Sequence, residues 1–172
     1  YNNLSSVKEN YMTKNFSDTY FSHDICSKIG FIREDIEEKK NSKVINNREY
    51  AILLTSLLYA MDRIANTCGH YDAWRRNVDL SEQVLEMRML DAEKNLNPQN
   101  QCFNTDSNKL AENIKSDVVY LDPPYNSRQY CDAYHLVENV ARWQKPEVFG
   151  VAKKMDRTAL KSKYCTQSAP KA

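Results

Sequence analysis

Glycine is scarce in this sequence, which has only Gly30, Gly69 and Gly150 among its 172 residues. The pattern Gly-x-Gly does not occur. Glycine lets a backbone approach a bound molecule closely, because no side chain stands in the way. The sequence therefore excludes a glycine-rich turn of that kind.

Cysteines are present but never closely paired. They are odd in number, widely spaced and form no Cys-x-x-Cys pattern: Cys26, Cys68, Cys102, Cys131 and Cys165. This argues against a disulfide framework and against a zinc site, and we expect no bound metal. Reduced thiols are typical of a cytoplasmic protein, which is the location that the sequence predicts.

Long apolar runs are also missing. No stretch approaches the roughly 20 residues that cross a bilayer, so we expect no membrane contact. The N-terminus shows no signal-peptide pattern. It begins with Tyr1 rather than methionine, which leads us to expect a piece of a longer protein.

A large excess of one charge is absent from the whole chain, whose net charge is +1. The distribution is nevertheless uneven. Residues 142–172 contain eight Lys or Arg and two acidic residues, so residues 1–141 carry a net −5. Such a basic stretch suits contact with a phosphate backbone, although a solvated tail is the more common explanation.

The first half of the chain has the apolar periodicity of helices. One stripe of isoleucines follows Ser22 at helical spacing, and a second stripe follows Asn46, which with Glu49 resembles a capping box. We predict a helical section over residues 22–66. Residues 1–21 are polar and aromatic, and we expect an irregular segment that docks by its rings.

Residues 66–76 place rings beside cations, namely Tyr71, Trp74, Arg75 and Arg76. Such interleaving suits nucleic-acid contact by stacking and phosphate pairing. It equally suits a loop whose rings cover the end of the preceding helix. Both interpretations stay open.

Short apolar runs replace the helical pattern after residue 96. We predict strands near residues 102–104 and 118–121, with Asp106 and a helix over 107–114 between them. A β–acid–α–β order is the repeating unit of a doubly wound α/β domain, in which the acid lies near the tip of the next strand. Asp106 is otherwise a simple helix cap.

The second predicted strand ends in Asp122-Pro123-Pro124-Tyr125. The prolines fix φ and remove two backbone donors, so the strand must turn there. An aromatic amine is a poor nucleophile because its lone pair is delocalised into the ring. A carboxylate and a carbonyl that accept its N–H bonds favour a localised lone pair, and an aromatic face stabilises the positive charge that develops.

A polar loop over residues 126–132 leads into a helix with an apolar face of Leu136, Val137, Val140 and Ala141. Asp132 is predicted to cap this helix. His135 lies in its first turn, and a lone histidine in a helix is often structural. Its closeness in sequence to the Pro-Pro turn also makes it a binding candidate.

The Asp122–Tyr125 segment resembles the catalytic motif of adenine-specific DNA methyltransferases that use S-adenosylmethionine. The similarity extends to residues 120–130, 134–138 and 161–165, and to the segment Asn66-x-x-Gly69-x-Tyr71. It implies an α/β fold, with a partial Rossmann-like class I methyltransferase sheet in residues 96–172. By the same resemblance, residues 1–95 would be a mainly helical section that would serve DNA recognition.

The resemblance also assigns residues to roles. Asp122, Pro123, Pro124 and Tyr125 would be catalytic, and Asp106 with Ser107 would bind the cofactor. The residues that would bind the substrate follow the motif: Asn126, Arg128, Gln129, Tyr130, Tyr134 and His135. The implied partners are S-adenosylmethionine, double-stranded DNA with a flipped adenine, and a cognate restriction endonuclease.

One departure from the family is plain, because its members carry a glycine-rich cofactor turn that this sequence lacks. We therefore expect a fragment that is inactive alone and binds S-adenosylmethionine weakly. Two alternatives remain, namely an amino-methyltransferase for RNA or protein glutamine, and a non-catalytic nucleic-acid-binding remnant.

Overall fold

The structure, a computed structural model, describes residues 1–5, 8–90, 99–122, 127–162 and 165. Within these ranges the regular structure is almost entirely helical. The helices in chain order are α1 (Tyr11–Phe16), α2 (His23–Asn41), α3 (Asn47–Ile64), α4 (Ser107–Ala111), α5 (Tyr130–Ala133) and α6 (His135–Arg142), followed by a 3-10 helix (Thr158–Leu160).

The two longest helices are those that the apolar stripes predict. α2 begins after Ser22, whose hydroxyl accepts a hydrogen bond from the backbone N–H of Ile25 (3.4 Å). α3 begins after Asn46, whose side chain accepts the N–H of Glu49 (3.0 Å), while the Glu49 carboxylate accepts the N–H of Asn46 (2.7 Å). This reciprocal pair is the predicted capping box. The predicted helical section over residues 22–66 is confirmed.

Residues 1–21 are more regular than the sequence predicts. Helix α1 interrupts them, and it begins with a second capping box between Asn10 and Thr13. The predicted docking by rings is confirmed, since Phe16, Tyr20 and Phe21 are fully buried. These rings join one hydrophobic core with the isoleucines of α2 and with the inner faces of α3 and α6.

A buried arginine joins α2 to the end of α6. The guanidinium of Arg33 donates to the backbone carbonyls of Val140 (2.8 Å) and Ala141 (3.2 Å) and forms an ion pair with Glu37 (2.7 Å). It also stacks over the ring of Trp143, 5.4 Å from the ring centroid. The last carbonyls of a helix lack intrahelical donors, and Arg33 supplies them from another helix.

The predicted sheet is not confirmed. Among the described residues, the β pairing consists of two isolated bridges, Ser17 with Phe21 and Phe149 with Lys154. Residues 102–104 and 118–121 form neither strand nor helix. The second of these runs is exposed: Val118 84%, Val119 67%, Tyr120 86% and Leu121 81%. An isolated extended segment has no ladder of hydrogen bonds to hold it, so apolar composition alone does not make a strand.

The chain divides into two compact units. The first, called the core unit, comprises Tyr1–Leu90 with Pro124–Ala172, and the second unit comprises Asp91–Pro123. The sequence predicts a different division, at residues 95 and 96, and that domain boundary stays a prediction. No helix in the described part of the chain is long and apolar enough to cross a membrane.

Candidate active site

Asp122 ends the described part of the second unit. Its side chain is exposed, and its carboxylate has no hydrogen-bond partner among the described residues. An ionised carboxylate in this state can accept hydrogen bonds from an incoming amine. Four other predicted site residues, Pro123, Pro124, Tyr125 and Asn126, lie outside the described residues.

Asp106 serves as the cap of α4. Its Oδ1 accepts the backbone N–H of Asn108 (2.8 Å) and of Lys109 (3.4 Å). These backbone hydrogen bonds lower the pKa of Asp106, so its exposed carboxylate keeps its charge. The helix-cap interpretation is confirmed. Ser107 is the first, exposed residue of α4, and cofactor binding by this pair stays a prediction.

Gln129 is held by the chain segment that follows the 3-10 helix. Its Nε2 donates to the carbonyl of Ser162 (3.1 Å), and its Oε1 accepts the N–H of Ser162 (2.7 Å). Nearby, the thiol of Cys165 donates to the carbonyl of Arg128 (3.4 Å). The structure thus joins residues of two stretches that carried the family resemblance, Arg128 and Gln129 with Ser162 and Cys165. Gln129 holds these two segments together through its two hydrogen bonds to Ser162. Its contact with substrate stays a prediction.

Tyr130 and Tyr134 form an exposed pair of rings on α5 and at the start of α6. Their ring centroids are 6.0 Å apart with an interplanar angle of 68°. Together with Cys131, Glu138 and Leu160 they line an open cavity of about 240 Å³. Exposed tyrosine rings can stack on a base. The structure therefore brings two predicted substrate residues to one accessible place.

His135 lies in the core rather than beside this cavity. Its ring is 1% exposed, and its Nε2 donates to the backbone carbonyl of Tyr71 (2.8 Å). Burial lowers the pKa of His135 to about 4, so the ring is neutral at physiological pH. Among the described residues its Nδ1 has no hydrogen-bond partner. The structural role accounts for this placement, and the substrate-binding role stays a prediction.

Asp132 does not cap a helix, contrary to the prediction. It lies inside α5 and accepts hydrogen bonds from Arg157 (2.7 Å) and Lys154 (3.2 Å). Partial burial by itself raises the pKa of Asp132, but these cationic donors bring it below its ordinary value. Lys154 also pairs with Asp72. The sequence showed no sign of this network, because its members are far apart along the chain.

For the loop of residues 66–76, the structure supports one interpretation for its tyrosine and the other for its arginines. Tyr71 is buried, and its hydroxyl donates to Asp62 (3.1 Å), as expected for a ring that covers a helix end. Arg75 and Arg76 are exposed and make no ion pair within the described ranges. Trp74 is half-buried and donates from Nε1 to the carbonyl of Val151 (3.1 Å). The tyrosine supports the core, and the arginines remain available to a partner.

Comparison with known proteins agrees with the motif. The sequence matches the family described as D12 class N6 adenine-specific DNA methyltransferase over residues 1–169. It is 43% identical over 152 residues to the modification methylase StsI of Streptococcus sanguinis. The aligned region covers 86% of this chain and 23% of that protein. No solved structure matches at a significant level.

Two further relatives are type II methyltransferases. M.FokI of Planomicrobium okeanokoites is 37% identical over 164 residues, covering 91% of this chain and 25% of that protein. M.NlaIII of Neisseria lactamica is 37% identical over 153 residues, covering 87% of this chain and 44% of that protein. The chain thus spans about a quarter of StsI and M.FokI and less than half of M.NlaIII.

Proposed function

Because the chain belongs to the D12 class of N6 adenine-specific DNA methyltransferases, we propose that the protein transfers a methyl group from S-adenosylmethionine to the exocyclic amino group of adenine in DNA. The observation that carries this proposal is the exposed carboxylate of Asp122, which has no hydrogen-bond partner among the described residues and stands at the start of the Asp-Pro-Pro-Tyr motif. Such a carboxylate can accept hydrogen bonds from an amine without first breaking one to the described residues.

Asp122 acts on the target amine directly. Its carboxylate and the carbonyl of Pro123 accept the two N–H groups, which localises the nitrogen lone pair. The same carboxylate stabilises the positive charge that grows on nitrogen, and the ring of Tyr125 adds its negative face. S-adenosylmethionine supplies the electrophilic methyl group.

The residues of this chain fit that cofactor at its adenosine end. The exposed Asp106 carboxylate has a lowered pKa, so it is charged and can accept hydrogen bonds from hydroxyl or amino groups. Ser107 adds a hydroxyl beside it. We expect weak binding of S-adenosylmethionine to the 172-residue chain, since its sequence has no glycine-rich turn for the methionine end.

Double-stranded DNA with a flipped adenine is the proposed substrate. Flipping costs a few kcal/mol, and stacking on an aromatic ring returns roughly 1–3 kcal/mol per base. Tyr130 and Tyr134 offer exposed rings, and Arg128 offers a cation in the same segment. Asn126, Gln129 and His135 complete the proposed set of substrate residues. Gln129 is half-buried and His135 is buried, so both would act by supporting the exposed residues.

The cellular setting is part of the same proposal. The relatives are named as modification methylases and type II methyltransferases, which supports a cognate restriction endonuclease as a partner. No disulfide joins any of the described cysteines, which supports a cytoplasmic location. We also propose that residues 118–121 pair as a strand of a Rossmann-like class I sheet, since four exposed apolar side chains favour a covering partner.

The decisive experiment replaces Asp122 by alanine in the intact enzyme. The carboxylate acts mainly in the transition state, so kcat should fall at least about 100-fold while DNA affinity stays within a few-fold. Tritium transfer from S-adenosylmethionine to DNA, RNA and protein measures turnover and separates the alternatives. Asp117→Ala is the matched control, because Asp117 is an exposed acid on the same segment. Equal losses of affinity and turnover would make Asp122 a structural residue.

A further inference from the structure

A tight turn over residues 149–154 exposes two apolar side chains. Phe149 is 60% exposed and Val151 is 66% exposed. The turn is closed by two backbone hydrogen bonds, from Phe149 N–H to the Lys154 carbonyl (2.7 Å) and from Lys154 N–H to the Phe149 carbonyl (3.0 Å). Gly150 has a φ of +69°, which suits glycine. The exposure therefore belongs to a defined conformation.

The 149–154 turn is anchored to the core unit from several sides. The Tyr20 hydroxyl donates to the carbonyl of Ala152 (2.9 Å), and Trp74 Nε1 donates to the carbonyl of Val151 (3.1 Å). Lys154 pairs with Asp72 and Asp132. These contacts hold the backbone while leaving the two apolar side chains outside. Phe149 and Val151 both line one open cleft, where a partner can reach them.

The charge around the turn identifies the chemistry of that partner. An open cleft of about 600 Å³ is lined by Phe149, Val151, Lys154, Arg157 and Lys161, with Asp156 as its acid. Lys154 and Arg157 are already paired with carboxylates. Within the described part of the chain Lys153 and Lys161 make no ion pair, and neither do Arg75 and Arg76 beside Trp74. Cations that form no ion pair with the described residues, placed around exposed apolar side chains, suit duplex DNA, whose backbone is anionic and whose bases stack.

We propose that the 149–154 turn is a DNA-contacting wedge. Lys153 and Lys161 neutralise backbone phosphates, and Phe149 with Val151 inserts at a base step and unstacks it. Proteins that deform duplex DNA use apolar wedges flanked by cations in this way. The inference rests on the proposed function for its choice of DNA, and it adds a contact surface away from the Asp-Pro-Pro-Tyr motif in sequence.

The test compares binding of the 172-residue chain to two duplexes, one fully paired and one with a single central mismatch. A wedge favours the mismatch, because unstacking has already been partly achieved. Phe149→Ser and Val151→Ser should each lower that preference, Phe149→Ser by at least about fivefold. Val44→Ser is the control, since Val44 is an equally exposed valine (69%) in the α2–α3 loop. It should leave the preference unchanged.

The lysines are tested through the salt dependence of binding. Lys153→Gln and Lys161→Gln should each reduce the slope of log K against log salt by about 1. Lys43→Gln is the matched control, because Lys43 and Lys153 both have positive φ (59° and 53°). Its slope should not change.

Each outcome decides the matter. The wedge is overturned if both apolar variants keep the wild-type preference, or if the chain binds neither duplex. A protein partner is indicated instead if all four variants bind DNA like the wild type. These experiments measure DNA binding and not methyl transfer, so a failure of the wedge and a failure of the adenine-methylation proposal can be told apart.

Discussion

The core unit and the second unit use apolar residues in opposite ways. In the core unit the stripes of α2 and α3 are buried against each other, and side chains such as Ile29 and Leu57 have no exposed surface. In the second unit the apolar run of residues 118–121 is between 67% and 86% exposed. A helix satisfies its own backbone and needs only a face to pack, whereas a strand also needs a neighbour for its hydrogen bonds.

Truncating one leucine in each unit should give the largest difference between the two units in the free energy of unfolding. Leu57→Ala removes a fully buried side chain and should lower the free energy of unfolding by about 2–5 kcal/mol. Leu121→Ala should change it by less than about 0.5 kcal/mol, because the side chain is exposed. Urea denaturation of both variants measures the difference. A Leu121→Ala cost equal to that of Leu57→Ala would show that residues 118–121 are buried in solution.

Lowering the pH should destabilise the core unit through His135. Its pKa falls from an ordinary 6.5 to about 4 on folding because the ring is desolvated. The stability that depends on the neutral buried ring is therefore fully present above pH 6.5. About 3 kcal/mol of unfolding free energy is lost as the pH falls to 4.

Substitution of this histidine separates its effect from carboxylate titration. His135→Gln keeps an amide donor but does not titrate, so its unfolding free energy should change less between pH 6.5 and 4 than that of the wild type. Denaturant titrations at several pH values test this, with the exposed His23→Gln as the control. Identical pH profiles for wild type and His135→Gln would mean that the ring is solvated.

Removing one helix cap from each unit should give the smallest difference in stability between the two units. Asn46→Ala breaks the capping box of α3, whose inner face lies in the core, and should cost about 1 kcal/mol. Asp106→Ala breaks the cap of the exposed helix α4 and should leave the midpoint of thermal unfolding unchanged. A lowered midpoint for Asp106→Ala would show that α4 contributes to the cooperative core.

Local patterns were predictable from the sequence, and distant pairings were not. The capping box of Asn46 and the stripes of α2 and α3 depend on residues within a few turns, so the sequence predicts them. The Asp-Pro-Pro-Tyr motif is likewise four consecutive residues. Asp132 was assigned wrongly as a cap because its partners Lys154 and Arg157 lie 22 and 25 residues away.

The same distinction explains what was missed around the candidate site. Gln129 finds its partner Ser162 at a separation of 33 residues, and His135 finds Tyr71 at 64. Neither pairing leaves a periodic signal in the sequence. The predicted strands are not confirmed among the described residues for a related reason, since a strand is defined by a partner that apolar composition does not specify.

The buried arginine of α2 sets the order in which the core unit can close. Its acceptors, the carbonyls of Val140 and Ala141, are 107 and 108 residues further along the chain. At roughly 5–20 residues per second, a ribosome needs about 5–20 s to supply them. Until then Arg33 must stay hydrated, because an unpaired buried guanidinium is costly. The core unit therefore cannot close around Arg33 until α6, which begins directly after Tyr134, has been synthesised.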